Sequence, residues 1–214
     1  MIPLKLCWWE APLVIGVLYL FELLLAVTDS GRVVSSDMWW ILIVRVLELF
    51  IIWCYWCLMD HSMQDLGLSG RQIVQGLVLA IKTCLVCGLL VGAAELLGRT
   101  LADMSPVSTV IPILPREPAA VLLTTVIAGP LLEELVFRVL VYNFFRRFLP
   151  VSLALVPSVA LFAFSHPVEG LYYIIPAVGG VLFCLLYEKS RSLVAPFSVH
   201  AVANLFIYGL ALCL

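Results

Sequence analysis

The sequence predicts an all-α fold, a polytopic bundle of about seven transmembrane helices. Composition is the first reason. Of 214 residues, 64% are hydrophobic and only 12% are charged, with a mean hydropathy of +1.13. A soluble domain of this length cannot bury so much apolar surface. The second reason is punctuation. Apolar runs of membrane-crossing length are separated by the breaks "TDSGRVVSSD", "DHSMQDLGLSGRQ", "GRTLADMSPVSTVIPILPREP", "FLP", "HPVEG" and "EKSRS". No internal repeat, low-complexity linker or soluble domain interrupts the pattern, so residues 1–214 read as one membrane domain.

The breaks define helices over about 11–27, 39–59, 73–98, 118–146, 151–166, 171–187 and 192–212. The first run has no evident small-x-small cleavage site and carries Glu10 and Glu22, so it reads as a retained span rather than a signal peptide. In the second, Arg45 and Glu48 are three residues apart and can pair. Ser69 reads as the N-cap of the third helix. Glu22 and Lys82 fall at similar depth and are expected to pair between helices. The fifth and sixth runs are short, which suggests tilt or partial interfacial placement.

Lysines and arginines set the orientation. Lys5, Arg71, Arg146, Arg147, Lys189 and Arg191 fall on one face, and Arg32, Arg99 and Arg116 on the other. Six against three places the N-terminus in the cytoplasm and, with seven spans, the C-terminus outside. The expected location is a bacterial inner (plasma) membrane. The net charge of −2, without a basic cluster, gives no sign of a nucleic-acid partner.

Four of the seven cysteines form CxxC pairs, Cys54/Cys57 and Cys84/Cys87. Both pairs lie in apolar runs, at depths differing by roughly 10–15 Å, too far apart for one tetrahedral metal site. They read as small residues of membrane helices.

The fourth helix poses the functional question. Within "AGPLLEELVFRVLVYNFFRR" stand Glu133, Glu134 and Arg138. Each charge costs roughly 2.5–3.5 kcal/mol at a helix centre unless paired or facing water. Arg138 follows Glu134 by four residues, so these two share a face. Glu133 points elsewhere, without that partner, and is a candidate general base. An ion network that only packs helices is the plain alternative.

Of the three histidines, His61 lies in the polar "MDHSMQD" loop and reads as a surface residue. His166 ends the fifth helix, with Phe162 one turn earlier, and His200 precedes Asn204 by one turn on the seventh. Counted from the basic ends, Glu133, His166 and Asn204 lie roughly 20–24 Å from one face, with His200 about a turn lower. Four polar groups on three helices can therefore converge in one layer, and such a cluster inside a membrane marks a functional site.

These residues carry a resemblance. "EELVFR" is similar to an EExxxR motif, "FAFSH" to FxxxH and "HAVAN" to HxxxN. In that order, over about residues 118–207, the chain resembles the CPBP family of intramembrane proteases, which includes CAAX prenyl endopeptidases and bacteriocin-processing enzymes. Val139 stands where family members often have a glycine. The resemblance implies a catalytic four-helix core at 118–212 behind three N-terminal helices at 1–99. It implies that Glu133 and His166 activate a water, that His200 and Asn204 stabilise the oxyanion, and that Glu134, Arg138 and Phe162 support them. No cofactor is expected. A zinc variant would use Glu133, His166 and His200 as ligands. The implied partner is a membrane-anchored or membrane-inserted protein or peptide in the bilayer, with a sorting tail or leader peptide favoured over a prenylated CAAX tail.

Two rivals are weighed. "GLSG" at 67–70 resembles a rhomboid GxSG, but Asp65 and Arg71 flank it at the membrane surface. A non-catalytic scaffold or transporter subunit would use Glu22, Arg45, Glu48, Lys82 and Glu95, whereas it has no need of the intact glutamate–histidine–asparagine set.

Overall fold

The computed structural model describes residues 7–28, 37–102, 117–166 and 170–213. Among them the chain forms seven helices and no strand. They are α1 (Glu10–Thr28), α2 (Met38–Leu58), α3 (Gly70–Ala102), α4 (Pro118–Arg146), α5 (Val151–Phe164), α6 (Ile174–Ser190) and α7 (Val194–Cys213). Helices α2, α3, α4 and α7 are long and apolar enough to cross a membrane, and α5 is a shorter apolar helix. Lys5, Arg32 and Arg116 of the orientation argument lie outside the described residues.

Local chemistry sets the boundaries. Asp37 accepts from the backbone N–H groups of Trp39 and Trp40 and starts α2. Ser69 caps α3 reciprocally with Gln72, whose side chain accepts from the Ser69 N–H while its own N–H donates to the Ser69 hydroxyl. Pro118 opens α4, and Pro150 separates α4 from α5.

Helix α4 is central. In its apolar window 44% of residues are buried, against 22% in α2 and α7 and 6% in α3. It packs against α2, α5, α6 and α7, while α3 runs along α7 and α1 meets α2 and the second half of α4. α4 is also irregular. Leu123–Ala128 and Leu135–Tyr142 are π-helical, and the six residues Gly129–Glu134 between them are α-helical. Pro130, at the start of the α-helical turn, has no N–H with which to continue the first π ladder. π segments of this kind widen a helix and often occur at functional sites.

The ends expected to share a face do so. Glu188 of α6 receives Arg146 of α4 at 3.3 Å and Arg191 at 2.7 Å. Gln72 of α3 donates to the Arg191 carbonyl at 3.0 Å, and Ser192 to the Gly67 carbonyl at 2.9 Å. Gly67 has a positive φ of 74°, and a Cβ there would stand 2.5 Å from the Arg191 carbonyl oxygen.

Two sequence expectations are corrected. Glu22 pairs with Arg45 at 2.9 Å, not with Lys82, because α1 packs on α2; Arg45 also pairs with Glu48 as expected. His61 is not a surface histidine. Its side chain is 8% exposed, its Nε2 lies 2.9 Å from buried Glu10, and its ring packs on Trp56. The start of α1 brings Glu10 against the α2–α3 loop and encloses the ring.

Candidate functional site

Glu133, Glu134 and Arg138 sit where the central α-helical turn of α4 passes into its second π segment. Adjacent residues point about 100° apart on a helix, so the two glutamates face different surroundings. Glu134 and Arg138 are completely enclosed, with Arg138 Nε 3.0 Å from Glu134 Oε2. That contact has ion-pair distance without hydrogen-bond alignment, and neither terminal guanidinium nitrogen has a hydrogen-bond partner. The guanidinium instead lies over two aromatic faces, 4.4 Å from the Phe162 centroid and 5.3 Å from that of Phe183. Cation–π attraction, strengthened by desolvation, offsets part of the cost of this charge.

The other oxygen of Glu134 is 2.9 Å from His200 Nδ1. A carboxylate accepts, so Nδ1–H donates and the ring presents Nε2 to the opposite side. His200 stacks on Phe183 at 4.6 Å and 17°, with Phe162 edge-on at 5.9 Å. Its orientation is thus set at one nitrogen and on two ring surfaces.

His166 is locked by a parallel device on another helix. Its Nδ1 lies 2.8 Å from the Phe162 carbonyl, one turn back, and again only the ring N–H can donate. Nε2 faces the site. The Phe162 side chain, 1% exposed, packs against His166 at 4.7 Å and Phe137 at 5.3 Å. Phe162 therefore touches both histidines and Arg138.

Both Nε2 atoms face Glu133. Its Oε2 is 3.8 Å from His200 Nε2 and 3.9 Å from His166 Nε2, with no hydrogen-bond partner of its own. The three side chains differ in access: Glu133 is 32% exposed, His166 29% and His200 6%. An acceptor oxygen faces two imidazole nitrogens beside a partly open edge. A water donating to Glu133 and His166 would be oriented and polarised for attack.

Asn204 lies one turn beyond His200. Its amide donates to the Thr125 carbonyl of α4 at 2.7 Å, which leaves one N–H for another acceptor. The expected residues thus arrive in two groups. Glu133, Glu134, Arg138, Phe162, His166 and His200 form one contact network, and Asn204 is fixed to α4 next to it. Sequence reasoning missed Phe183, Thr125 and the Glu134–His200 bond. None has a local signal, since each depends on α4, α6 and α7 meeting.

Among the described residues, no group of three or more His, Cys, Asp or Glu side chains is arranged to hold a metal ion. Within Glu133, His166 and His200 the two separations of 3.8 and 3.9 Å exceed the ~3.3 Å between ligands of tetrahedral zinc. Cys54, Cys57, Cys84 and Cys87 are free thiols.

Residues 115–206 match the family model described as type II CAAX prenyl endopeptidase Rce1-like. The matched segment contains every residue of the network. Over these residues, fewer than half of the chain, the protein is similar to that family. The Rce1-like family is one of proteases, and the matched segment includes helices suited to crossing a membrane. Helices α1 to α3 precede the match. No curated protein and no solved structure matches the chain.

Proposed function

We propose that this protein is an intramembrane endopeptidase of the glutamic type, hydrolysing a peptide bond in or near the membrane segment of its substrate. One observation carries the reading: a partly open glutamate faced by two histidine Nε2 atoms, each ring held from behind by an acceptor at Nδ1.

Glu133 and His166 hold a water between them, and Glu133 takes its proton as the oxygen attacks the scissile carbonyl. The Asn204 amide and His200 Nε2 donate to the developing oxyanion. For His200 this requires the doubly protonated ring, because Nδ1–H is already given to Glu134. Glu134 balances that charge, and Arg138 balances Glu134. Glu133 then returns the proton to the departing amine, completing hydrolysis. Each oxyanion donor of this kind is worth roughly 3–4 kcal/mol in the transition state. The mechanism calls on no metal. Purified protein should cleave a tail substrate with a membrane-permeant chelator present and contain no stoichiometric zinc. One zinc per chain, with activity lost on removal and restored on return, would overturn the metal-free reading.

The substrate follows from depth. Glu133 lies 13 residues before Arg146, roughly 20 Å along the helix from the basic end. Charge bias makes that end cytoplasmic. A bond cut near Glu133 then lies towards the outer side of the bilayer, which favours a sorting tail or leader peptide of an exported protein. The family description favours instead a prenylated CAAX tail. In a cysteine-free background, Tyr172→Cys should react with an impermeant thiol reagent from outside, and Phe148→Cys and Lys189→Cys should not. The inverse pattern would put the deep site within reach of a cytoplasmic tail.

A further inference from the structure

The bond that fixes Asn204 depends on a feature of α4 distant in sequence from α7. The first π segment ends with the Gly129 N–H donating to the Thr124 carbonyl, five residues back. Continued in that register, residue 130 would donate to the Thr125 carbonyl. Residue 130 is proline and has no N–H. In the α register the donor to Thr125 would be Gly129, whose N–H is already engaged. A main-chain carbonyl inside a membrane protein needs a donor from elsewhere in the protein. The donor here is Asn204 Nδ2, at 2.7 Å.

The geometry around this turn is tight. Pro130 is buried, and a Cβ on neighbouring Gly129 would stand 2.8 Å from the Thr124 carbonyl oxygen. The turn that places Thr125 towards α7 therefore has little freedom. An amide nitrogen carries two hydrogens, and fixing one in a bond to Thr125 fixes the direction of the other.

We propose that Pro130 is a positioning residue for Asn204: it withholds a main-chain hydrogen from the Thr125 carbonyl and so reserves that carbonyl to orient the amide. The idea rests on the oxyanion role given to Asn204 above. It differs from the ordinary view of a helix proline, in which the ring alone matters by prising the helix open.

The two views separate at one atom. Pro130→Ala restores an N–H that competes for Thr125. Lactic acid at position 130 has the same side chain as alanine, but an ester oxygen replaces the N–H. Pro130→Ala should lower kcat by about tenfold to a hundredfold with KM unchanged, a part of the roughly 10²–10³-fold cost of losing an oxyanion donor. The lactyl protein should cleave at the wild-type rate. On an Asn204→Ala background, Pro130→Ala should cause no further loss of kcat. Equal damage from alanine and lactate would show that the ring is what matters and overturn the proposal, as would independent, multiplying losses in the double variant. If Pro130→Ala fails to fold while the lactyl protein folds and cleaves, the N–H is again the damaging atom and the proposal stands. If neither folds, it fails. Cleavage that survives Glu133→Gln would sink the glutamic mechanism on which the role of Asn204 rests. Glu133-dependent cleavage unchanged by Pro130→Ala would sink only the role of Pro130.

Discussion

Among the described residues glutamate meets arginine in several places, and two of them differ in a telling way. In α4, Glu134 and Arg138 come from one helix and are wholly enclosed, closed off by His200 and by the faces of Phe162 and Phe183. Across α1 and α2, Arg45 bridges Glu22 and Glu48; Glu48 is 3% exposed, Arg45 32% and Glu22 43%. The residue types are the same, and both sets offset the cost of charge in an apolar setting. What separates them is the next side chain. Beside Glu134 stands Glu133, whose Oε2 is left without a hydrogen-bond partner and faces two ring nitrogens. Beside Arg45, both acids are spent on the arginine, and the set closes on itself. A buried ion pair is therefore no sign of chemistry here. The sign is an acid kept out of the pairing.

The contrast can be broken most sharply at that acid. Glu133→Gln keeps shape and loses the proton acceptor, so cleavage should fall to background while the thermal midpoint in detergent holds. Glu22→Gln, the matching change in the other set, should leave turnover near wild type. Comparable turnover losses from the two would erase the distinction. Next in size, His166→Ala and Asn204→Ala should each lower kcat by roughly 10²–10³-fold, with KM moved far less, because in the proposed mechanism both groups act mainly in the transition state. A rise in KM with kcat intact would assign them to substrate binding instead.

The smallest effects concern stability. Arg138→Ala leaves Glu134 enclosed beside His200 alone and should cost about 3–5 kcal/mol of unfolding free energy. Arg45→Ala, at a partly exposed site, should cost clearly less when both are measured by the same denaturation in detergent. An equal cost would mean that enclosure does not distinguish the sets.

The legible parts of the sequence were those with local causes. The span expected at 118–146 has those bounds in the structure because Pro118 and the Arg146–Pro150 stretch punctuate it. The Ser69 cap was readable, though α3 starts at Gly70 and runs to Ala102, beyond the expected 73–98, with no proline in between to stop it. Pairing of Glu134 with Arg138 follows from four-residue spacing, as does the separate direction of Glu133. The bond from His200 to Glu134 joins residues 66 apart, and Asn204 meets a carbonyl 79 positions away. No spacing rule reaches that far. The π segments were equally hidden, since apolar periodicity marks which face is buried and not whether a bond spans four residues or five. His61 was misread for a related reason: a polar loop looks exposed until another helix, here the start of α1 with Glu10, is laid over it.

Helix α5 has a consequence for the lipid around it. Its 14 residues span roughly 21 Å, against a hydrocarbon layer of about 30 Å. If α5 crosses the bilayer, a helix that short favours local thinning of the lipid around it. Thinning there would bring the hydrated headgroup layer closer to the helix end, where His166 stands. In the proposed hydrolysis, the shortness of one helix would then set how far water must travel to reach an otherwise dry bond.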